Sequence, residues 1–398
     1  MLRSLKGLYH LLVAIFANIW FGFPGRKLTV IGITGTDGKT TTTTLIYEIL
    51  KEAGIKASMI TSVHAVIAGK SYDTGFHVTT PNAWYVQRYL AEALKAGETH
   101  MVLEVTSHGL AQHRVLGIKF AAGVLTNVTH EHLDWHGTLE AYRNIKIGLL
   151  KKSKVAIVNR DEAELYRIVK AKIPGKRTVT YGIHRSALVT PESYPFSLKL
   201  IGEFNMYNAL AAMATAVGLG IDVKAAKKAL STFSGVPGRM QTVVTKPFTV
   251  VVDFAHTPNS IDRALKAASE LPHKRLIHVF GSAGLRDKAK RQLMGEASSR
   301  WADDIVLTEE DYRTENVDDI INAIAEGIAP GPTVIKIPDR AQAIAHALRI
   351  AKAGDVVMIT GKGHEKSMCR GKVEYPWNDT EAVRTALSDL KKAHAATQ

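Results

Sequence analysis

The chain has 398 residues, enough for two or three domains with cores of their own. Its hydrophobic fraction of 46% and charged fraction of 22% are ordinary for a soluble globular protein. A net charge of +14 favours acidic partners such as nucleotides, sugar phosphates or an anionic membrane, although a basic surface kept for solubility explains it equally well. No zinc-finger, RRM or basic-zipper pattern supports a nucleic-acid partner. The single cysteine, Cys369, excludes a disulfide framework and a cysteine-based zinc site, and it suits the reducing cytoplasm.

Near the N-terminus, Leu8–Phe23 is almost wholly apolar and has basic residues on both sides. This segment is shorter than the ~20 residues that a helix needs to cross a bilayer. No small-residue cleavage site follows it, so a signal peptide is not predicted either. We expect a helix packed against the body of the protein. The second interpretation is a peripheral helix at a membrane interface, because Trp20 and Phe23 beside basic residues suit the headgroup boundary.

From Leu28 onward, apolar segments of strand length alternate with helical patterns, which predicts parallel sheets with helices on both faces. A domain boundary is expected at Gly235–Gly238, where proline and glycine interrupt the pattern. The predicted strands are Leu28–Ile33, His100–Val105, Ala121–Leu125, Lys154–Val158, Thr249–Asp253, Leu276–Phe280, Asp304–Leu307, Thr333–Ile337 and Asp355–Thr360. The predicted helices are Ala83–Ala96, Met206–Leu219, Ala225–Ser231, Ser260–Leu271, Arg291–Trp301, Val317–Gly327 and Arg340–Ala351.

The segment T-G-T-D-G-K-T-T follows the first predicted strand and precedes a helical pattern. A strand, a glycine turn and a helix N-terminus form an anion cradle, in which backbone N–H groups and the helix dipole face a phosphate. Lys39 would add a charge for the outer phosphates, and the Thr40 hydroxyl would ligate Mg²⁺. Ile33 stands where a strict P-loop has its first glycine, so the motif is a shortened variant. The predicted phosphate-binding residues are Thr34, Gly35, Thr36, Asp37, Gly38, Lys39, Thr40 and Thr41.

Polar residues also follow two later apolar strands. Glu104 ends one of them, where open parallel sheets bind ligands, and its carboxylate would hold Mg²⁺ or cap the next helix. His132 lies in a polar cluster after the next strand, and a neutral imidazole there would ligate a metal. Because His130, His132 and His136 alternate with carboxylates, this stretch alone fits a zinc hydrolase equally well. The phosphate loop upstream favours nucleotide chemistry.

Taken together and in order, the motifs from about Val30 to the C-terminus resemble those of the Mur ligase family. Each motif in the second half is weak alone, but their number and order make coincidence implausible. The segments that carry the resemblance are T-T-P-N-A at 79–83, E-V-T-S-H-G-L at 104–110, H-L-D-W-H-G at 132–137, G-E-F-N-M-Y-N at 202–208, G-R-M at 238–240, V-D-F-A-H-T-P at 252–258, G-S-A-G-L-R-D-K at 281–288 and G-K-G-H-E at 361–365.

The resemblance implies a P-loop-containing central ATPase domain with a parallel sheet, at residues 28–236, and a C-terminal Rossmann-like α/β domain at 237–398. Family members begin with a domain that holds UDP, and here we expect the apolar helix of residues 1–27 in its place. The implied cofactors are ATP and Mg²⁺. The implied reaction, in peptidoglycan synthesis, adds meso-diaminopimelate or L-lysine to the D-glutamate of UDP-MurNAc-L-Ala-D-Glu through an acyl phosphate. We expect a cytoplasmic monomer, in peripheral contact with a membrane if the second interpretation of Leu8–Phe23 holds.

Residue roles follow from the same resemblance. Lys146 falls where the family has a carbamoylated lysine, whose carbamate would bind a second Mg²⁺. The implied catalytic residues are Lys39, Glu104, His132 and Lys146, and the implied metal ligands are Thr40, Glu104, His132 and Lys146. The implied nucleotide contacts beyond the phosphate loop are Asn205, Asn208, Arg239, Asp253 and His256. The implied substrate contacts are Thr79, Thr80, Thr106, Gln112, Arg114, Arg286, Asp311, Arg313, Gly361 and Glu365.

Two further departures from the family pattern are visible in the motifs. Phe254 replaces a tyrosine and removes one hydroxyl. Members that add meso-diaminopimelate carry D-N-P-R, whereas residues 310–313 read E-D-Y-R, so only the arginine remains. Three alternatives stay open at this stage: a related amide ligase of the folylpolyglutamate or cyanophycin type, a P-loop switch or motor ATPase, and a catalytically inert module bound to a membrane.

Overall fold

The structure is a computed structural model that describes residues 2–72, 80–129 and 133–396. Its contacts divide the chain into two compact units, with the break between Ser234 and Gly235 and with Ile201–Glu203 grouped with the second unit. Both units combine helices with mainly parallel sheets. The predicted α/β fold class is therefore confirmed, and each predicted strand and helix is observed within a few residues of its expected bounds.

The first unit is built on an eight-stranded sheet of order β4-β3-β2-β5-β1-β6-β7-β8. The six neighbouring strands β2, β5, β1, β6, β7 and β8 run parallel to one another. Strands β3 and β4 continue the sheet at the β2 edge as an antiparallel hairpin. Its strands are β1 (Thr29–Thr34), β2 (Ala57–Ile60), β3 (Ala65–Ile67), β4 (Lys70–Tyr72), β5 (His100–Glu104), β6 (Phe120–Leu125), β7 (Ser153–Asn159) and β8 (Thr178–Tyr181). Its helices are α1 (Leu2–Trp20), α2 (Lys39–Glu52), α3 (Ala83–Lys95), α4 (Ser107–Ala111), α5 (Leu133–His136), α6 (Leu139–Lys152), α7 (Ala163–Lys172), α8 (Glu203–Leu219) and α9 (Val223–Thr232).

The second unit has a six-stranded sheet of order β13-β12-β11-β14-β10-β9, in which only β9 is antiparallel, and a separate two-stranded ribbon, β15-β16. Its strands are β9 (Gln241–Val244), β10 (Thr249–Val252), β11 (Leu276–Phe280), β12 (Asp304–Leu307), β13 (Thr333–Lys336), β14 (Val356–Ile359), β15 (Ser367–Arg370) and β16 (Val373–Pro376). Its helices are α10 (Pro258–Ser269), α11 (Lys290–Ser299), α12 (Val317–Ala325), α13 (Arg340–Ile350) and α14 (Asp379–Ala396).

Strand β1 lies between β5 and β6, and the register of these three strands places their carboxyl ends side by side. Ile33 is opposite Glu104, and Thr34 is opposite Leu125. The three strands are buried along almost their whole length, as expected for parallel strands covered on both faces. The loops that follow β1, β5 and β6 therefore start from one edge of the sheet, where ligands of such sheets bind.

Helix α1 packs on the first unit through one narrow face. Ala14 and Ala17 are fully buried, and the amide of Asn18 donates to the carbonyl of Leu116 at 2.9 Å. The opposite face of the helix carries large apolar side chains that are exposed. No helix in residues 2–72, 80–129 and 133–396 combines the length and apolar character needed to cross a bilayer.

A buried ion pair ties α13 to the start of α14 in the second unit. The Arg340 guanidinium donates to both carboxylate oxygens of Asp379 at 2.8 Å and to the Thr360 carbonyl at 2.8 Å. Both charged side chains are completely inaccessible to solvent. Because a buried charge without its partner has no water to replace the lost contacts, the pair is a sensitive point of this core.

We expect Arg340→Met to lower the free energy of unfolding by about 3–5 kcal/mol, since it leaves Asp379 buried and uncompensated. The matched control is Arg384→Met, which removes an ion pair with Glu381 whose side chains are 62% and 64% exposed, and which should change stability by less than about 1 kcal/mol. Urea unfolding of the full chain, followed by circular dichroism, measures both. Equal midpoints for the two variants would contradict the importance given to the buried pair.

Candidate active site

The loop between β1 and α2 has the backbone of a phosphate cradle. Gly38, the N-cap residue of α2, has a φ of +80°, in the left-handed region that glycine adopts without strain. A Cβ at Gly38 would also overlap the side-chain oxygen of Asn208. Lys39 begins the helix, so the first N–H groups of α2 and its dipole point into the loop. The buried Thr34 ends β1, and the buried Thr41 lies in the first turn of α2.

Residues that follow β6 fix the shape of this loop. The Thr126 hydroxyl donates to the Asp37 carbonyl at 2.7 Å, and the Asp37 N–H donates to the Asn127 side chain at 2.9 Å. The backbone N–H of Thr36 donates to the Asn127 carbonyl at 3.0 Å. Thr126 and Asn127 were given no role by the sequence analysis. Their position directly after an apolar strand was the signal that could have indicated one.

Three oxygen donors converge beside the first turn of α2. The Thr40 hydroxyl donates to Glu104 Oε2 at 3.0 Å and lies 2.9 Å from the Ser62 hydroxyl. The Ser62 N–H donates to the same carboxylate oxygen at 2.9 Å. Two hydroxyls and a carboxylate are hard oxygen ligands of the type that Mg²⁺ prefers, so the residues fit the implied metal. The structure brings the predicted residues Thr40 and Glu104 together, and it adds Ser62, which sequence reasoning missed.

Two lysines, one from the motif and one from α6, donate to backbone carbonyls of the phosphate loop. The Lys39 ammonium donates to the Thr36 carbonyl at 2.7 Å and so folds back over the loop. Lys146, buried on α6, donates to the Gly35 carbonyl and lies 4.4 Å from the centre of the Tyr142 ring. The structure therefore brings Lys146 to the predicted phosphate site. His132 and Thr79, which were also predicted, lie outside the described residues.

Four predicted substrate residues form one polar group near the start of α4. Arg114 donates through Nε to the Gln112 side chain at 3.0 Å and through a second nitrogen to the Thr80 carbonyl. The hydroxyls of Thr80 and Thr106 are 3.2 Å apart. Burial lowers the pKa of the Arg114 guanidinium from its ordinary value. The group is still a cation, because an arginine side chain is not deprotonated in proteins. The group offers a positive charge and hydroxyls to an anionic ligand.

His136, the one histidine of the predicted zinc alternative that the structure describes, belongs to a cluster of rings. Its Nε2 lies 2.9 Å from the Ser107 hydroxyl, and its ring centre is 5.4 Å from that of His108 and 5.0 Å from that of Tyr142. Among residues 2–72, 80–129 and 133–396, no group of three or more histidine, cysteine, aspartate or glutamate side chains is placed to hold a metal ion.

Helix α8 presents two buried asparagines to the phosphate loop. Asn208 Nδ2 donates to Asn205 Oδ1 at 3.1 Å, and Asn208 Oδ1 accepts from the Thr42 hydroxyl at 3.3 Å. Thr42 lies on α2, one turn inside the helix that starts the cradle. Both asparagines were predicted nucleotide contacts, and the structure places Asn208 directly beside Gly38.

In the second unit, the predicted nucleotide residues meet around one short loop after β10. Asp253 accepts from the N–H groups of Met240 and Ala255, each at 2.7 Å. The Arg239 guanidinium lies 4.3 Å from the centre of the Phe254 ring, and the ring centre of His256 is 4.6 Å from that of Phe254. Phe254, the residue that lacks the family's hydroxyl, thus keeps the packing role of an aromatic ring.

A second polar group in this unit includes most of the predicted amino-acid contacts. The buried Lys362 donates to Asp311 at 2.7 Å and also pairs with Glu365. Burial opposes the charge of Lys362, but the two carboxylates outweigh it, so its pKa is raised. Arg313 donates to the Gly284 carbonyl at 2.6 Å and has a φ of +53°. Arg286 is exposed, and no contact among the described residues ties it to this group.

Both halves of the chain match models of known domains. The Mur ligase middle domain matches residues 33–216, and the Mur ligase, glutamate ligase domain matches residues 238–363. The chain belongs to the Mur ligase family. The predicted resemblance is thereby confirmed, and both halves of the chain contribute to it.

Individual relatives carry more specific names. The UDP-N-acetylmuramyl-tripeptide synthetase of Roseiflexus sp. (strain RS-1) is 37% identical, over 95% of this chain and 82% of the relative. The UDP-N-acetylmuramoyl-L-alanyl-D-glutamate–2,6-diaminopimelate ligase of Synechocystis sp. (strain ATCC 27184 / PCC 6803 / Kazusa) is 40% identical, over 93% of this chain and 78% of the relative.

Solved structures agree on the fold. The solved structure of a UDP-N-acetylmuramoyl-L-alanyl-D-glutamate–2,6-diaminopimelate ligase has a TM-score of 0.62 at 31% sequence identity. The aligned region covers 92% of this chain and 79% of the solved chain. The MurF ligase of Thermotoga maritima in complex with ADP has a TM-score of 0.70 at 19% identity, over 96% and 84%, which is a likeness of fold alone.

A residue beside the predicted contact Gly361 was given no role by the sequence analysis. Glu310 is buried, and its Oε2 accepts no hydrogen bond from the described residues. This oxygen lies 3.2 Å from where a Cβ on Gly361 would stand, so it faces a predicted substrate residue. Burial raises the pKa of the Glu310 carboxyl, and the charges of Lys290 and Lys362 only partly offset that effect. An unsatisfied buried carboxylate next to a glycine is a candidate binding group for a cation.

The phosphate loop can be tested with a pair of glycines. Gly38→Ala should weaken ATP binding by at least about a hundredfold, because the new Cβ overlaps Asn208 and forces the loop to move. Gly54→Ala is the control, since Gly54 also has a positive φ, +71°, but has open space around it. Both variants carry about 1–2 kcal/mol of backbone strain. Titration with a fluorescent ATP analogue measures binding, and similar affinities for both variants would contradict the assignment of the loop.

The pKa of Glu310 predicts a pH-dependent difference in stability. The folded state holds the proton to higher pH than the unfolded chain does, so the stability that Glu310 contributes is present at acid pH and is lost as pH rises through the raised pKa. Glu310→Gln should therefore become progressively more stable than the parent as pH increases from acid to neutral. Glu315→Gln should show the opposite sign, because the Leu285 N–H and Arg291 lower the pKa of Glu315. The measurement is the melting temperature of each variant relative to the parent across this pH range. If this difference changes in the same direction with pH for both variants, the interpretation is refuted.

Proposed function

We propose that this Mur ligase uses ATP to join a diamino acid to the D-glutamate carboxyl of UDP-MurNAc-L-Ala-D-Glu, releasing ADP and phosphate. The observation that carries the proposal is the convergence of the phosphate loop, the Thr40–Glu104 pair and Lys146 at one edge of the first unit's sheet. The relatives at 37% and 40% identity, named for this tripeptide synthesis, support the choice of substrates.

The chemistry requires activation of an unreactive carboxylate. Transfer of the γ-phosphoryl group from ATP to a carboxylate oxygen gives an acyl phosphate and ADP. The amine of the incoming amino acid then attacks the acyl carbon, loses a proton, and displaces phosphate as the C–N bond forms. The protein's contribution to both steps is to position the reactants and to offset the negative charge that they bring together.

Residues of the first unit would divide this work. The N-terminus of α2 and the ammonium of Lys39 would hold the outer phosphates. Thr40, Ser62 and Glu104 would hold Mg²⁺, which when bound neutralises phosphate charge. Lys146 would support the loop through the Gly35 carbonyl as it stands, or bind a second metal ion if it is carbamoylated.

The acceptor's acidic groups would meet the polar group around Arg114. Its guanidinium is partly buried and held by Gln112 and the Thr80 carbonyl, so its direction is fixed before a ligand arrives. The hydroxyls of Thr80 and Thr106 add donors beside it. A fixed cation with neighbouring hydroxyls suits a peptide carboxylate or a sugar-linked phosphate.

The diamino acid would bind in the second unit. Meso-diaminopimelate presents a carboxylate and an ammonium at its far end, which suit Arg313 on one side and Glu310 or Glu365 on the other. L-Lysine has only the ammonium at that end and would leave Arg313 without a charged partner. We therefore propose meso-diaminopimelate as the preferred substrate and lysine as the second choice.

We further propose that the enzyme works as a monomer in the cytoplasm, where ATP is available and where the one cysteine, Cys369, stays reduced. In this proposal residues 28–236 form the ATP-binding domain and residues 237–398 form the domain that receives the amino acid. Residues 1–27 contain the apolar helix α1.

The deciding experiment incubates the protein with ATP, Mg²⁺ and UDP-MurNAc-L-Ala-D-Glu, and offers meso-diaminopimelate, L-lysine or no amine. We expect phosphate release and a product of the mass of the tripeptide with meso-diaminopimelate. Lys39→Ala should reduce kcat by at least about a thousandfold while leaving the melting temperature unchanged within a few degrees.

Three outcomes would contradict parts of the proposal. ATP turnover without any amine would favour a switch or motor ATPase. Ligation only with a folate or peptide acceptor would favour a related amide ligase. Near-normal phosphate release by Lys39→Ala would overturn the role of that lysine.

A further inference from the structure

Helix α1 has two different faces, and only one of them is used for packing on the first unit. The packed face contains Ala14, Ala17 and Asn18, which are small or make specific hydrogen bonds. The outer face carries large apolar side chains at helical spacing, each between 41% and 66% exposed. We call this surface the apolar stripe, and its members are Leu8, Tyr9, Leu12, Ile15, Phe16, Ile19 and Trp20.

An aromatic cleft extends the apolar stripe at its C-terminal end. Trp84 of α3 stacks on Phe16 with ring centres 5.9 Å apart, and it also contacts Trp20 and Phe21 at 6.0 and 4.9 Å. A cleft of about 380 Å³ lies beside these rings, and its lining includes Arg88 and Lys95. The exposed apolar area is therefore continuous across two helices, and cations lie at its border.

The charges around this surface have one sign almost throughout. Residues 1–36 contain no aspartate or glutamate. Lys6, Arg26 and Lys27 are exposed near the two ends of α1. On α3, Glu92 is paired with Arg88 at 2.7 Å, so it leaves little net negative charge at the cleft. The surface combines apolar and aromatic side chains with a basic border, the composition of helices that lie in a membrane interface.

The same charges argue against a second copy of the chain as the occupant of this surface. A symmetric contact between two apolar stripes would bring the basic ends of one α1 towards those of the other, and α1 has no acidic residue to compensate. An anionic lipid surface supplies the missing negative charge and accepts the apolar side chains at once. Because Ala14, Ala17 and Asn18 hold one face of the helix against the first unit, only the opposite face along its length is open to a lipid surface, which favours an orientation in the plane of the membrane.

We propose that the apolar stripe and its aromatic cleft dock this protein on an anionic lipid bilayer, with α1 lying parallel to the membrane surface. Trp20 and Tyr9, near opposite ends of the stripe, sit at the level of the headgroups, and Leu12, Ile15, Phe16 and Ile19 enter the acyl boundary. Lys6, Arg26 and Lys27 contact lipid phosphates. The proposal does not depend on which acceptor or amino acid the ligase uses.

The test is sedimentation of the full chain with sucrose-loaded vesicles of phosphatidylcholine, with and without phosphatidylglycerol. We expect binding to the vesicles that contain phosphatidylglycerol and at least about tenfold weaker binding to phosphatidylcholine alone. The triple variant Leu12→Ser, Phe16→Ser, Ile19→Ser should lose at least about tenfold in affinity for the anionic vesicles. The single variants Lys6→Gln, Arg26→Gln and Lys27→Gln should each weaken binding to the anionic vesicles about fivefold.

A matched control removes equally exposed apolar side chains elsewhere. Leu188→Ser, Leu293→Ser and Val373→Ser, at residues 54%, 52% and 53% exposed, should leave vesicle binding unchanged. Melting temperatures confirm that each variant is folded. Equal loss in the control triple, no binding of the parent to anionic vesicles, or equal binding to neutral ones would overturn the proposal. The proposal would also be overturned if the parent does not bind lipid and sedimentation velocity shows that it forms a dimer which the stripe variant does not form.

Discussion

The parallel alignment of β1, β5 and β6 is the constraint on which the candidate active site depends. It brings the loop that begins at Thr34 next to Glu104, and this proximity allows the 3.0 Å hydrogen bond from Thr40. The same alignment lets Thr126 and Asn127, which follow β6, hold the backbone of the phosphate loop. A one-residue slip of either neighbouring strand would turn these side chains to the other face of the sheet and separate the oxygen donors.

The elements that follow a clear periodicity were predictable from sequence, and the short ones were not. Continuous apolar strands such as Val250–Val252, and amphipathic helices such as α3 and α12, are observed where the pattern indicated them. Strands β3 and β4 have three residues each, too few to show alternation. Strand β9 is a half-buried edge strand of four residues, and β16 is an exposed strand of the ribbon, so neither gives a clear apolar signal. Sheet order is a property of long-range pairing, so the position of β1 between β5 and β6 required the structure.

Some residues of the candidate site were likewise predictable from sequence, and others required the structure. A local motif reveals residues such as Lys39 and Thr40, because loop, helix start and side chain are contiguous in sequence. Ser62 lies in no motif of the resemblance, and Glu310 lies in the E-D-Y-R segment where only the arginine matches the family. Their relevance depends on the contact of Ser62 with Glu104 and on the location of Glu310 beside Gly361, which only folding creates. Lys146 was predicted from a resemblance, but its burial against Tyr142 and its bond to Gly35 are tertiary facts. The roles assigned to these residues remain proposals.

The hydrogen bonds from Thr126 and Asn127 to residues 36 and 37 have a consequence for the energetics of nucleotide capture. Because the loop is already held in its cradle shape by neighbouring strands, an arriving triphosphate has little chain entropy to remove there. Preorganisation of this kind acts on ATP and ADP alike, since both carry the phosphates nearest the loop. Selectivity for ATP over ADP would then have to come from contacts with the terminal phosphate, such as those of Lys39, rather than from ordering of the backbone.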